Sequence, residues 1–217
     1  MYIDLLNEHV LKILITAKDK DSISAISRRI KVSYGWTYHW ISKLIKEKIF
    51  IQKGYSIYLN KKNKSYIEII TFLSSLLKNN ISLNYSIIDL FGLKYAFTGN
   101  DAVFIWTKGG YNIERWKNHY PIFIKTRKKD KELWNYYFKK LNITNYPSVG
   151  HKGIYFVFVV EEDFIIAKNH HPFVIPLLEC VVYMKKNIFN FEPALEMVNE
   201  MYHLGLNIKY KEVSAYV

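Results

Sequence analysis

Cysteine is almost missing from this sequence: Cys180 is the one cysteine among 217 residues. A single cysteine forms no disulfide within the chain, and the paired cysteines of a zinc site are missing as well. Cys180 lies in the apolar run LLECVVYM, which favours a buried, unreactive thiol over a catalytic nucleophile. This cysteine usage predicts a protein of a reducing compartment, and we expect it in the cytoplasm.

Long apolar runs and glycine-rich phosphate loops are also missing. No stretch approaches the roughly 18 apolar residues that a membrane span requires, so we expect no membrane partner. The first residues, MYIDLLNEHVLKIL, are partly acidic and lack the charged-then-apolar layout of a signal peptide. The nine glycines form neither a Walker nor a dinucleotide-binding pattern. These absences predict a soluble protein without a cofactor.

Negative charge is scarce, especially in the first part of the chain. The sequence has 31 Lys and Arg against 19 Asp and Glu, a net charge of +12. Residues 1–80 hold fourteen basic and six acidic side chains, so they carry +8 of that excess. A concentrated positive charge favours nucleic acid or another anionic surface as partner. The alternative, that lysine serves only as a solubilising surface residue, stays open.

The hydrophobic pattern divides the chain into helices and short strands. The first part is predicted to contain three helices, a hairpin that turns at Lys53-Gly54, and a fourth helix. These helices are predicted over 3–17, 22–30, 34–48 and 65–78. The polar stretch Lys78-Asn79-Asn80 indicates a boundary, which gives domains of 1–80 and 81–217.

The second part mixes helices and strands, so the predicted fold class is α+β. A mostly helical segment is expected over 81–104. Further helices are predicted over 131–141, 176–185 and 192–204. β-branched and aromatic residues predict strands over 120–126 and 154–160, with a neighbour at 164–167 and a last strand at 208–210 or 213–217.

The stretch ISAISRRIKVSYGWTYHWISKLIKEKIFI, residues 23–51, carries a resemblance. One helix is followed by a turn at Val32-Ser33, by a second helix with Thr37, Ile41 and Leu44 inward, and by the start of a hairpin. Over residues 11–59 this order resembles the winged helix-turn-helix regulators of the MarR and ArsR groups. The resemblance implies that the second helix, residues 34–47, enters the major groove of DNA.

The outward side chains of this second helix are polar or aromatic, and basic side chains surround them. The candidates for contacts with base edges are Tyr34, Tyr38, His39, Ser42 and Lys43. The candidates for contacts with phosphates are Arg28, Arg29, Lys46, Lys53, Lys61, Lys62 and Lys64. They predict a protein that binds double-stranded DNA sequence-specifically, namely a transcription regulator with no catalytic or metal-binding residue.

Two plainer interpretations apply to individual residues of this stretch. Trp36 and Trp40 lie one helical turn apart, and aromatic pairs at that spacing usually pack in a core, so we expect both to be at least partly buried. Arg28 and Arg29 are alternatively no more than a solvated face. Winged helices also dock proteins, which leaves a protein-interaction module as an alternative function.

The second domain carries another resemblance, in short motifs at 95–124 and 170–201. The first motif contains Thr98, Gly99, Ala102 and Val103, with an apolar segment some twenty residues later; the second contains Glu179, Phe191, Glu192, Ala194, Leu195 and Glu196. These motifs resemble the nucleotidyltransferase-like domain of abortive-infection (AbiEi-type) antitoxins. The resemblance implies an antitoxin-like autorepressor, with a toxin as a possible partner protein. Two-fold symmetric DNA sites further suggest a homodimer.

An active nucleotidyltransferase needs a Gly-Gly or Gly-Ser step and two carboxylates one residue apart that hold Mg²⁺. Here Asn100 follows the glycine, and the expected carboxylate position is Asn118-His119-Tyr120. The sequence therefore predicts a degenerate domain and no enzyme. The alternative, a nucleic-acid-processing or nucleotidyltransferase-type enzyme, would need its carboxylates from Glu161, Glu162 or Asp163. The adjacent His170-His171 is a weak metal motif, because neighbouring side chains of an extended chain point apart.

Overall fold

The fold is α+β, as the sequence predicted. A computed structural model describes residues 7–116, 118–168 and 170–208 of the chain. It forms two compact units: the first comprises the described residues up to Lys94 together with Lys129–Thr144, and the second comprises Tyr95–Lys128 and the described residues from Asn145. Residue 80, the expected domain boundary, lies inside the first unit. None of the described helices combines the length and the apolar content that crossing a membrane requires.

The first unit is mainly helical and contains one small sheet. Its helices are α1 (Glu8–Thr16), α2 (Ile23–Ile30), α3 (Tyr34–Lys46), α4 (Lys64–Leu77), α5 (Ile81–Ile87) and, from a later part of the chain, α7 (Lys131–Leu141). Its strands are β1 (Lys20–Asp21), β2 (Phe50–Lys53) and β3 (Ser56–Leu59). The sheet order is β1-β3-β2 and both pairings are antiparallel. The strand between α1 and α2 therefore extends the hairpin that follows α3.

Polar side chains fix where the helices of the first unit begin. The hydroxyls of Ser22 and Ser33 accept hydrogen bonds from the backbone N–H groups of the first turns of α2 and α3. Asn63 caps α4 in the same way, two residues before Ser65, the cap that the sequence predicted for that helix. Each cap pairs a backbone donor that has no partner within the helix, a contribution of about 1 kcal/mol. The expected helix start at residue 3 lies outside the described residues.

The core of the first unit is closed by aromatic residues of α7. The ring of Phe91, at the end of a short 3-10 helix that begins at Ile88, lies 5.4 Å from Trp134, 5.2 Å from Tyr137 and 6.0 Å from Phe138, measured between ring centroids. All four rings are at most 1% exposed. Burying side chains of this size contributes about 1.5–3 kcal/mol each. Helix α7 thus belongs to the first unit because its apolar face is buried there.

The second unit is a four-stranded mixed sheet with helices. Its strands are β4 (Tyr95–Phe97), β5 (His119–Thr126), β6 (Asn145–Tyr146) and β7 (Gly153–Val160), and its helices are α6 (Gly99–Trp106), α8 (Leu177–Lys186) and α9 (Ile188–Tyr202). The order is β4-β5-β7-β6, with β4 antiparallel to β5 and the other two pairings parallel. β5 and β7 agree with the predicted strands at 120–126 and 154–160 to within one residue.

Three predicted elements differ from the structure. Residues 81–104 are mostly helical, as predicted, but they also contain a strand that was not predicted: Gly92 ends the first helical part in a left-handed conformation (φ 68°), and β4 follows. Residues 164–167 form no strand, although Ala167 donates a hydrogen bond to the carbonyl of Val174. Helix α9 begins at Ile188, four residues before the predicted start. The expected last strand lies outside the described residues, except for residue 208.

A candidate nucleic-acid interface

Helix α3 is held in the first unit by one stripe of side chains. Thr37, Trp40, Ile41 and Leu44 are all buried, with relative exposures of 8% or less. The Thr37 hydroxyl also donates a hydrogen bond to the Ser33 carbonyl at 2.9 Å, so its polar group is paired. The inward positions of α3 are therefore those that the sequence predicted, and the opposite face of the helix is turned to solvent.

The outward face of α3 contains the predicted base-contact candidates. Tyr34 and Tyr38 are 54% and 53% exposed, His39 and Lys43 are exposed, and Ser42 is half-buried. The two tyrosine rings lie side by side, with 6.2 Å between centroids and 25° between planes. The structure therefore brings all five candidates to one face of one helix, with two aromatic rings at its N-terminal end.

Trp36 was expected to belong at least partly to the core, but its side chain lies mainly outside it. Its side chain is 55% exposed, whereas Trp40, one turn later, is 8% exposed. An α-helix advances about 100° per residue, which leaves Trp36 at the edge of the buried stripe, although Trp40 lies within it. The His39 ring packs edge-on against both tryptophans, at 6.1 Å and 5.4 Å between centroids. Trp36 thus joins the exposed face and helps to orient His39.

A shallow surface depression lies at the N-terminal end of this face. Ser33, Gly35, Trp36 and His39 line it. Gly35 has no heavy atom within 4 Å of the position that a Cβ would take, so the backbone is open to a partner there. Neither Gly35 nor Trp36 was among the residues predicted from the sequence to contact a partner. A signal for Trp36 was present, since its position is off the 37-41-44 spacing.

Six of the seven predicted phosphate-contact residues are exposed, on α3 and on the segments next to it in the sequence. Arg28, Lys46, Lys53 and Lys62 are exposed. Lys61 forms an ion pair with Asp19 (2.7 Å), and the Lys64 ammonium lies 3.8 Å from Glu68; both lysines stay exposed. Between residues 22 and 59 the sequence holds seven Lys and Arg and one acidic residue. The face is therefore electropositive, which favours an anionic partner.

Arg29 does not belong to this charged face. Its guanidinium donates hydrogen bonds to the Thr16 carbonyl (2.8 Å) and to both Asp21 carboxylate oxygens (2.7 and 3.3 Å). The Arg29 and Asp21 side chains are 13% and 3% exposed. Arg29 therefore ties α2 to the end of α1 and to β1, and its charge is compensated within the unit. Its neighbour Arg28, in contrast, is exposed and is available to a phosphate.

The hairpin that follows α3 ends in two exposed residues. Gly54 adopts a left-handed conformation (φ 57°), which allows the tight turn between β2 and β3, and Tyr55 is fully exposed. The Lys53 ammonium lies 5.7 Å from the centre of the Tyr58 ring. A basic, aromatic hairpin tip therefore accompanies α3. Lys53 was predicted from the sequence as a contact residue of this tip, whereas Tyr55 was not.

The sequence predicted a degenerate nucleotidyltransferase site in the second unit. In the structure, the polar side chains at that predicted site are largely paired with one another. Gly99 starts α6 with φ 56°, and a Cβ built on it would lie 3.7 Å from the Phe123 ring. The strand residue beside this glycine is therefore Phe123, in the middle of β5, and not the 118–120 segment that the sequence suggested. Asn100 donates to Glu114 (3.1 Å) and accepts from the Tyr183 hydroxyl (2.8 Å).

Lys125, two residues further along β5, is bound by two carboxylates. Its ammonium lies 2.6 Å from Glu161 and 2.5 Å from Glu179. Burial disfavours the charged ammonium, but the hydrogen bonds to the two glutamates outweigh it and hold the pKa of Lys125 above its ordinary value. Because this position of β5 holds a lysine paired with two glutamates, the strand offers no carboxylate here that could bind a divalent metal ion.

The other possible chemical groups do not converge in the structure. Glu161, Glu162 and Asp163 are all exposed, and among the described residues no group of three or more His, Cys, Asp or Glu is arranged to hold a metal ion. His170 packs on Trp106 and His171 on Phe173, so the two imidazoles have different neighbours.

Cys180 is buried, as the apolar run around it predicted. Burial raises the pKa of this thiol to about 12, with a further contribution from the charge of Glu179. The reactive thiolate is therefore negligible at neutral pH.

Comparisons of the chain with protein-family models, with curated protein sequences and with solved structures find no significant match.

Proposed function

We propose that this protein binds double-stranded DNA sequence-specifically and acts as a transcription regulator. Helix α3 enters the major groove, and the β2–β3 hairpin serves as a wing that contacts the flanking backbone. The order α1-β1-α2-α3-β2-β3, with β1 paired to β3, supports this proposal, because it is the order of a winged helix-turn-helix. A major groove about 12 Å wide admits one helix of this kind.

One observation carries the proposal: α3 turns a set of exposed hydrogen-bonding and aromatic side chains outward, and exposed basic residues lie on α3 and on the neighbouring segments. Tyr34, Tyr38 and His39 are exposed and both donate and accept hydrogen bonds, as base edges require. Arg28 and Lys53 flank them in the sequence and are exposed. Phosphate contacts of this kind give affinity and register, while contacts with bases give sequence preference.

The test is selection from a random duplex library, followed by fluorescence anisotropy with the selected duplex at several salt concentrations. We expect Arg28→Ala to weaken binding to all duplexes alike and to reduce the slope of log K against log salt by about 0.9. Lys186→Ala is the matched control, since it removes an exposed charge from the end of α8. His39→Ala should instead change the order of preference among sites. Absence of sequence preference at low salt contradicts the proposal.

A second candidate function is protein docking by the same face of α3. The exposed rings of Trp36, Tyr34 and Tyr38 favour it, since exposed aromatic clusters mark protein interfaces. The surrounding basic residues favour DNA. Retention of the protein on a DNA column, with elution by salt alone, would decide for DNA.

Two finer expectations are part of the same proposal. A homodimer would match a two-fold symmetric site, with half-sites about one helical turn of DNA apart. Sedimentation of the protein with and without the selected duplex measures this directly. The toxin partner and the antitoxin-like autorepressor role are suggested only by the resemblance of the second domain, and co-expression with the neighbouring gene product tests them.

A further inference from the structure

The side chains that α3 turns outward are unusual for a helix that reads bases, because most of them are rings. Tyr34, Trp36 and Tyr38 are each more than half exposed. Asn, Gln and Arg do not occur in α3, although these side chains make the bidentate hydrogen bonds that recognise adenine and guanine. The two lysines of α3, Lys43 and Lys46, lie in its last turn, and the Lys43 ammonium sits 4.4 Å from the ring of a buried tryptophan.

We infer that α3 reads thymine through its C5-methyl group, so that the protein selects A·T-rich duplex sites; this inference rests on the proposed function. The thymine methyl is the apolar feature that base pairs present in the major groove. Exposed rings contact it by dispersion and by excluding water. The ligand class therefore follows from the aromatic character of the face: duplex DNA with thymines at fixed positions.

The geometry of the two tyrosines adds a spacing. Tyr34 and Tyr38 are one turn apart in the N-terminal half of α3, the half of a recognition helix that lies nearest the base edges. Their ring centroids are 6.2 Å apart. Successive bases of one strand are separated by about 3.4 Å along the helix axis, so the two rings span about two base-pair steps. We therefore expect two contacted thymines separated by one intervening base pair.

Charge selects duplex DNA rather than an apolar protein surface as the occupant of this face. Of the seven basic residues between 22 and 59, Arg29 is neutralised by Asp21. Arg28, Lys46 and Lys53 are exposed, and the one acidic residue of that stretch lies at the C-terminal cap of α3. Exposed positive side chains in the segments that carry these aromatic rings complement the strands of phosphates on either side of a groove.

Replacing thymidine by deoxyuridine tests the inference. Deoxyuridine keeps the base pairing and the O4 acceptor and lacks the methyl group alone. The full chain is titrated with the selected duplex and with its deoxyuridine-substituted counterpart at one salt concentration. We expect Kd to rise about four-fold for each contacted methyl group removed, the equivalent of about 0.8 kcal/mol.

Variants assign the effect to the two tyrosines. The Tyr34→Ala and Tyr38→Ala variants should bind the thymine and uracil duplexes with more similar affinities. Each variant should lose the four-fold difference in Kd at the one thymine that its missing ring contacts. Tyr55→Ala is the matched control: it removes an exposed tyrosine from the hairpin tip, outside α3, and should leave the difference unchanged. All three side chains are exposed, so the variants should fold, which far-UV circular dichroism verifies.

The outcomes separate the inference from the proposed function. Sequence-specific binding with equal affinity for both duplexes, a selected site without thymine, or a thymine preference that persists in both tyrosine variants overturns the inference and leaves the function standing. Binding without any sequence preference removes the function, and the inference with it. Tighter binding of the separated single strand would mean stacking on unpaired bases and would also overturn the inference.

Discussion

Arg28 and Arg29 are adjacent and carry the same charge, yet the structure gives them different roles. Replacing each by alanine should therefore have opposite consequences. Arg29 is 13% exposed and binds Asp21, which is 3% exposed, while Arg28 is exposed to solvent. We expect Arg29→Ala to lower stability strongly and Arg28→Ala to leave it unchanged. DNA affinity should respond in the reverse order once both proteins are compared in their folded state.

The magnitude follows from what the Arg29 side chain leaves behind. Removing one partner of a buried ion pair costs about 3–5 kcal/mol, because the other charge stays buried. The Thr16 carbonyl also loses its donor at 2.8 Å. With a urea dependence of about 2 kcal/mol per molar, a loss of about 4 kcal/mol lowers the unfolding midpoint by about 2 M. Exposed substitutions such as Arg28→Ala usually stay within about 0.5 kcal/mol.

Urea unfolding followed by circular dichroism at 222 nm measures the stability, and anisotropy against salt measures DNA affinity. Adding Asp21→Asn to Arg29→Ala should restore part of the lost stability, because no charge then remains buried without a partner. Equal midpoints for the two single variants would refute the reasoning. So would an Arg29→Ala protein with a normal midpoint and uniformly weaker DNA binding, since that result would make Arg29 a phosphate contact after all.

Three further predictions concern stability. Trp40→Ala should cost about 3–5 kcal/mol and Trp36→Ala less than about 1, because only the former ring is buried; urea unfolding compares them. Gly92→Ala should cost more than about 2 kcal/mol in the same assay, since φ is 68° and a Cβ would lie 2.2 Å from a carbonyl oxygen of α2. Gly54→Ala should cost less, because its Cβ meets no atom within 4 Å and only the backbone strain remains. Burial lowers the pKa of Lys140 from 10.5 to about 7, so above about pH 7 the chain takes up a proton when it unfolds, and the free energy of unfolding should rise from pH 7 to 9. The Lys140→Met variant should lack that rise. If its free energy of unfolding rose with pH as steeply as that of the unchanged protein, the prediction would be contradicted.

Local patterns were sufficient to predict much of the first unit. The spacing of the inward residues Thr37, Ile41 and Leu44 was sufficient to predict the buried stripe of α3, because it follows the period of a helix. Ser33 is a strong capping residue and begins that helix at the predicted position. The hairpin, too, was visible from its two β-prone runs and a glycine between them. The exposed face of α3 therefore followed from the sequence, except for Trp36.

Features that depend on distant residues could not be predicted in this way. The pairing of Arg29 with Asp21 requires the fold to bring β1 beside α2, and nothing in the local pattern distinguishes Arg29 from Arg28. Strand β4 has only three residues, too few for a period to appear, so the sequence predicted only a mostly helical segment over 81–104. The same limit applies to Phe123, whose position beside Gly99 is set by the pairing of two strands.

Helix α7 determines how much of the chain must be synthesised before the first unit is complete. It is encoded between β5 and β7, two neighbouring strands of the second unit, yet its rings complete the core of the first unit. The Lys140 ammonium also donates hydrogen bonds to the carbonyls of Leu14 (3.0 Å) and Ala17 (2.7 Å), at the end of α1. A ribosome that has passed residue 94 has therefore not yet made a complete first unit. The core around the winged segment is complete only after about fifty more residues have been added, and no single cut in the chain separates the whole first unit from the second.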